Sequence, residues 1–113
     1  MNSNCIFCKI ISGDIPASKV YESDQWVAFF DISPIAPVHV VLIPKTHYDT
    51  ILDVDDPNIM PGLIEAVRVI TADLKIDESG FRTVVNTRND GGQTVKHLHF
   101  HILGGRILSW PPG

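Results

Sequence analysis

The sequence predicts an α+β protein: an antiparallel sheet of about five strands with one long helix and a short N-terminal helix against it. Three observations carry that reading. Several short runs rich in β-branched and aromatic residues are set off by polar turns or prolines. One long stretch, 59 to 75, repeats its apolar residues at spacings of three and four. Finally, His97-Leu98-His99-Phe100-His101-Ile102-Leu103 alternates imidazole with hydrocarbon at the two-residue period of a strand.

In chain order, Cys5 to Ile11 reads as a short helix, because Ile6, Phe7, Ile10 and Ile11 fall at helical spacing and Ser12-Gly13 follows as a stop. Val20-Tyr21 and Trp26 to Phe30 read as two strands joined by the polar turn Glu22-Ser23-Asp24-Gln25. Val38 to Ile43 is a dense β-branched run between Pro37 and Pro44, hence a third strand with marked limits. From Asn58 or Ile59 to about Lys75, the residues Ile59, Leu63, Ile64, Val67, Ile70 and Leu74 form the apolar face of the long helix. Pro61 is tolerable in its first turn. Phe81 to Asn86 is a fourth strand and His97 to Leu103 a fifth. No internal repeat, low-complexity segment or linker interrupts this order.

At 113 residues the chain has room for one modest core, so residues 1–113 are read as a single domain. A hydrophobic content of 44% suits a globular protein, and no apolar run reaches membrane-spanning length. Met1-Asn2-Ser3-Asn4-Cys5 lacks the basic and apolar stretches of a secretory signal, which makes the cytoplasm the expected compartment and reduced cysteines the expected state. The formal net charge is -4 and the nine Lys and Arg residues are scattered. Long nucleic acid is therefore a poor partner, since its affinity comes from neutralising many phosphates at once. A small phosphorylated ligand in a cleft needs only local donors.

The histidine row points to chemistry. A solvated sheet face tolerates polar residues, but imidazole, with an ordinary pKa of about 6.5, can be base, nucleophile or metal ligand near neutrality. Two functional readings follow. The row could hold a catalytic zinc with an open position, or one histidine could attack phosphorus while its neighbours hold the phosphate oxygens. The segment Asn86-Thr87-Arg88-Asn89-Asp90-Gly91-Gly92-Gln93-Thr94-Val95 favours the second, offering glycine amides, a carboxamide and a hydroxyl to an oxyanion. No Asp or Glu lies within the histidine strand to add as a ligand.

These residues resemble the histidine-triad (HIT) superfamily, whose signature is three histidines alternating with hydrophobic residues. The resemblance extends to its Hint branch of nucleoside phosphoramidases and covers essentially the whole chain. It rests on Phe29-Phe30-Asp31-Ile32-Ser33-Pro34 with Ala36-Pro37, then His39 and Ile43-Pro44-Lys45, then Gly91-Gly92-Gln93-Thr94-Val95. Leu103-Gly104-Gly105-Arg106 and the terminal Trp110-Pro111-Pro112-Gly113 complete it.

The resemblance implies an α+β HIT fold and a two-fold dimer, with the long helix and a sheet edge at the interface and the Trp110 tail reaching the partner's site. It also implies hydrolysis of the P–N bond of AMP or GMP phosphoramidates, including nucleotidyl-lysine and aminoacyl-adenylate compounds. His99 is then the nucleophile, forming a nucleotidyl-histidine that water hydrolyses. His101 and Gln93, with the amides near Gly92 and Thr94, would donate to the phosphate oxygens. Thr94 would pass a proton to the departing amine, and Asn86 would hydrogen-bond the phosphate side. Asp31 matches the position that accepts from the ribose hydroxyls, with an Asx turn before Ser33-Pro34 as the plainer but less favoured alternative. Phe29 and Ile32 would line the base pocket, and His39 would stand behind the active strand.

Cys5-Ile6-Phe7-Cys8 is a separate signal, since paired thiols in a reducing compartment are more often metal-binding or redox-active than structural disulfides. Resemblance to cysteine-bearing relatives implies His47 and His97 as partners in a four-ligand structural zinc site. The shared chemistry requires no cofactor, because some Hint proteins lack the cysteines. Two other readings stay open: a dinucleoside polyphosphate hydrolase on the same fold, and a nucleotide-binding or scaffold protein with incidental catalysis.

Overall fold

The computed structural model describes residues 4–113; Met1 to Ser3, part of the segment read as lacking a signal, lie outside the described residues. After the short helix α1 (Ile6–Ser12), the strands β1 (Lys19–Glu22), β2 (Trp26–Phe30) and β3 (Val38–Pro44) run in succession. The long helix α2 (Met60–Asp73), β4 (Phe81–Val85), a single helical turn α3 (Arg88–Gly91) and β5 (Phe100–Gly104) complete the order. The five strands form one antiparallel sheet in the order β1-β2-β3-β5-β4. The α+β class read from the sequence is the observed one.

The sheet separates two cores, because successive side chains of a strand point to opposite faces. On one face, Trp26, Ala28, Val40, Leu42 and Ile102 pack against Leu63, Ala66 and Ile70 of α2. On the other, Val27, Phe29, Val41 and Ile43 pack against Phe7, Cys8 and Ile10 of α1. Trp26 anchors the first core: it is fully buried and its indole N–H donates to the Ile59 carbonyl at 2.9 Å. Gly62 permits that approach, since a Cβ there would lie 3.0 Å from the indole Cδ1. Among the described residues no helix is long and apolar enough to cross a membrane.

Three boundaries differ from expectation for physical reasons. Cys5 stands outside α1 as its N-cap, where its thiol accepts from the Cys8 N–H at 3.4 Å. The long helix is entered through a tight turn, Pro57–Ile59, capped by the Asp56 carboxylate, and so begins at Met60. The regular part of the fifth strand starts at Phe100, not His97. There the ladder stops because its groups are taken elsewhere: the Pro44 carbonyl accepts from the His97 ring at 2.9 Å, and the Leu98 N–H donates to Tyr48 at 2.6 Å. The alternation of faces survives, with His97 and His99 on the α1 side and Leu98 buried.

Candidate active site

A cleft of about 620 Å³ opens beside α1 and collects side chains from distant parts of the chain. Phe7 and Ile10 come from α1 and Phe29 from β2; Asp31 and Ile32 follow that strand, while Thr94, His99 and His101 come from the C-terminal third. Of the residues expected to bind a nucleotide, Phe29, Asp31, Ile32, Thr94, His99 and His101 therefore meet here. Apolar lining with a few convergent polar groups is the usual make-up of a small-molecule site.

His99 is buried at the polar side of this cleft. Its Nδ1 lies 2.7 Å from the His97 carbonyl oxygen. A carbonyl only accepts, so Nδ1 carries the proton and Nε2 keeps its lone pair. Phe7 packs edge-on against both His99 and His97, with ring centroids 5.1 and 5.8 Å apart. Phe7 was not singled out from the sequence, where it reads as one more apolar helix residue.

His101 sits in the centre of the sheet, opposite Val41 on β3 and Val84 on β4. Its Nδ1 is 2.9 Å from Nε2 of His39, and His39 Nε2 is 3.5 Å from the Asp31 carboxylate. The other Asp31 oxygen accepts from the Ser33 N–H at 2.7 Å, so the Asx turn foreseen as the simple explanation is present. Burial pushes the His101 imidazole down to about 4, with the charges of His99 and His39 acting the same way and Asp31 opposing. Burial likewise lowers His39, again against Asp31.

In the loop expected to cradle phosphate, two residues are engaged in contacts of their own. Gly92, in the left-handed region at φ +79°, ends α3, and its N–H bonds to carbonyls of that same turn. The Gln93 carboxamide spans the loop, donating to Asp49 and Val95 carbonyls at 2.6 and 3.0 Å and accepting from the Arg88 N–H at 2.9 Å. Neither lines this cleft in the ligand-free structure. Asn86 also lies outside; it lines a neighbouring cleft of about 640 Å³ that shares His101 and is walled by Arg82, Arg106 and the terminal Pro111-Pro112-Gly113. The tail is held there by the Arg82 guanidinium, which donates to the Leu108 and Ser109 carbonyls. Trp110 is 80% exposed and touches neither cleft.

Cys5, Cys8, His47 and His97 converge, each offering a ligand atom within 4.8 Å of the others. The cysteines carry no disulfide. Cys5 Sγ is 3.3 Å from His97 Nδ1, Cys8 Sγ is 3.3 Å from His47 Nδ1, and the two Nδ1 atoms are 3.0 Å apart. Outside the cluster, His97 Nε2 meets the Pro44 carbonyl and His47 Nε2 the Asp49 carboxylate at 2.8 Å. Each outer nitrogen is thereby a donor, and each inner one presents a lone pair. Asp49 had gone unnoticed, although its place two residues after His47 is the available signal.

An α+β fold with helices on both faces of its sheet, in which alternate imidazoles precede the strand β5 and one of them is held by a main-chain carbonyl over an apolar cleft, defines a class of small proteins built on a histidine row. The chain belongs to the HIT domain family, whose model matches residues 12–108. An uncharacterized HIT-like protein of Synechococcus elongatus is 47% identical over 115 residues, covering 100% of both chains. A 14 kDa zinc-binding protein of Brassica juncea is 41% identical over 112 residues, covering 96% of this chain and 98% of that one. Among solved structures, a HIT family hydrolase from Legionella pneumophila superposes with a TM-score of 0.93 at 44% identity, covering 97% of this chain and 100% of the other. A histidine triad nucleotide-binding protein from Candida albicans gives 0.85 at 34% identity, over 96% and 83%. The protein is hydrolase-like at the level of that family.

Proposed function

We propose that the protein is a purine nucleoside phosphoramidase acting through His99. The observation that carries this reading is the Nδ1–H···O=C bond from His99 to His97, which leaves Nε2 as an attacking lone pair beside an apolar cleft. Nε2 attacks phosphorus, the P–N bond breaks, and the departing amine takes a proton from Thr94 or His101. Water then hydrolyses the nucleotidyl-histidine, releasing the monophosphate and restoring the imidazole. The base rests against Phe29 and Ile32, and Asp31 accepts from the ribose hydroxyls. A rapid quench with adenosine phosphoramidate followed by denaturing mass spectrometry should find one AMP added to the chain. Faster turnover of a diadenosine polyphosphate would favour the polyphosphate hydrolase instead, and negligible rates on both would favour a binding role.

The four-residue cluster suits a structural zinc, and the Brassica juncea relative is named a zinc-binding protein. Two facing imidazole lone pairs beside two thiols repel one another unless a cation or a shared proton lies between them. Acceptors behind both imidazoles are the usual outer contacts of metal-binding histidines. Bound there, zinc would tie α1 to the segments carrying His47 and His97, and the phosphorus chemistry does not pass through it. The two-fold dimer is part of the same reading, supported by the exposed Ile64 on α2 and Phe81 on the edge strand β4.

A further inference from the structure

Between β3 and the tight turn Ile51–Asp53, three consecutive residues fasten three parts of the site. The Tyr48 carbonyl accepts from the Leu98 N–H at 2.6 Å, inside the histidine row. The Asp49 carboxylate accepts from His47 Nε2 at 2.8 Å, and the Asp49 carbonyl accepts from the Gln93 carboxamide at 2.6 Å. Thr50 is buried and caps the turn reciprocally with Asp53, its N–H and hydroxyl donating to that carboxylate at 2.9 and 2.8 Å. The main chain on either side of Asp49 is thus held, and the residue grips in two directions. Its side chain holds a member of the cysteine-histidine cluster, and its carbonyl holds the loop that presents Thr94 to the cleft.

We infer that Asp49 is a positioning residue joining the cluster to the loop of Gln93 and Thr94, so that filling the cluster with zinc orders this loop and strengthens nucleotide binding. An imidazole that gives its Nδ1 lone pair to a cation has a more strongly donating Nε2–H, which tightens its bond to a carboxylate. A firmer Asp49 fixes the acceptor of the Gln93 carboxamide. Gln93 also donates to the Val95 carbonyl at 3.0 Å and accepts from the Arg88 N–H at 2.9 Å, so it braces the loop on both sides of Thr94. His97 offers a separate link, with its ring in the cluster and its carbonyl on His99, but that link ends on the nucleophile and not on the loop. Linkage is reciprocal: whatever factor zinc adds to nucleotide affinity, nucleotide adds to zinc affinity. Asp49 is exposed and shares its carboxylate with water, which sets that factor near the low end of such couplings, about 5-fold. The nucleotide half of this inference rests on the phosphoramidase reading; the loop half does not.

Amide hydrogen exchange of the zinc-loaded and the chelator-stripped protein reads the loop without substrate. In the wild type, zinc should slow exchange both in α1, which carries Cys8, and in residues 88–95. In Asp49→Ala, whose exposed side chain can be removed without opening the core, α1 should still respond to zinc and residues 88–95 should not. Zinc affinity should fall about 10-fold in that variant, as for other outer contacts of metal-binding histidines. Asp49→Asn keeps an acceptor oxygen for His47 and should retain much of the loop's response. A loop that ignores zinc in the wild type, or still follows it in Asp49→Ala, overturns the inference, as does a wild type that takes up no zinc. Equal loss in the two variants would reduce Asp49 to a charge near the cluster and overturn it too. Competition with a chromogenic chelator, with and without AMP, then measures the coupling: about 5-fold in the wild type and close to none in Asp49→Ala. Failure of AMP to bind would overturn the nucleotide half together with the phosphoramidase reading, and the exchange data would still decide the loop half.

Discussion

Two groups of potential ligands flank His99, and they share a pair of imidazoles but are opposite in surroundings. Cys5, Cys8, His47 and His97 lie on one side; Asp31, His39 and His101 lie on the other, and each group places its donor atoms within 4.8 Å. Behind the first stand acceptors, the Pro44 carbonyl and the Asp49 carboxylate, which draw the ring protons outward and leave lone pairs facing in. Behind His39 in the second stands a donor, the Ile35 N–H, which leaves a proton facing in. A metal held by His39 Nε2 would require the proton to move to Nδ1, against that amide. Proximity of donors therefore does not make a metal site; the polarity of the outer contact decides whether an imidazole offers a lone pair or a proton.

The sharpest test of the comparison is the residue between the groups. His99→Ala should lower kcat by about 10⁴-fold or more while leaving the fold and nucleotide affinity largely intact, because the side chain supplies bond formation and not most of the ground-state binding. His101→Ala, removing a donor only, should cost about 100-fold. Steady-state kinetics with equilibrium nucleotide binding separates the two. Near-normal turnover in the His99 variant would end the covalent mechanism.

Zinc content distinguishes the groups directly. Protein purified without chelator should hold about one zinc per chain, and Cys8→Ser should lose it together with roughly 10 °C of melting temperature. His39→Leu should leave zinc content unchanged. Metal lost from the His39 variant would show that the second group binds zinc after all, and an unchanged melting curve in metal-free protein would remove the structural role of the first.

Much of this contrast was legible in the residues, and its deciding part was not. The alternation of His97, His99 and His101 survives as a shared face even though the ladder begins only at Phe100, because alternation needs extended backbone and not sheet hydrogen bonds. Cys5 and Cys8 were legible from spacing alone. The outer contacts were not: two are main-chain atoms, at Pro44 and Ile35, which no residue type announces. Nor were the contacts of Gly92 and Gln93: their composition suits an anion cradle, and nothing in it announces that the backbone of the loop turns in as α3.

Acid should expose the cost of keeping His101 neutral. Its folded pKa, about 4, lies below the ordinary 6.5, so between those values the unfolded chain binds the extra proton. Stability from this group is complete above about pH 6.5 and is lost as pH falls toward 4. The ring is partly exposed, which trims the expected loss to on the order of 2 kcal/mol. Urea midpoints across that range should decline less steeply in His101→Gln than in the wild type. Parallel declines would assign the acid sensitivity elsewhere, and simultaneous zinc release would assign it to the cysteine-bearing group.

The smallest effect belongs to the tail, whose Trp110 stays apart from the main cleft within a single chain. Trp110 is exposed, yet Pro111, Pro112 and Gly113 wall the neighbouring cleft that shares His101 and contains Asn86, Arg82 and Arg106. His101 thus lies between the cleft lined by Phe29 and a second space bordered by the tail, and in the proposed reaction a leaving group entering that space would pass His101. Deleting Trp110 to Gly113 should keep the protein folded and change kcat/KM by a few-fold, unequally among amine leaving groups of different size, since contacts to a variable group alter discrimination by about 1 kcal/mol or so. The comparison requires at least a small and a bulky amine on the same nucleotide. An identical fractional change for both would place the leaving group away from the tail. A larger change for the bulky amine would make His101 the boundary between a constant nucleotide side and a variable amine side.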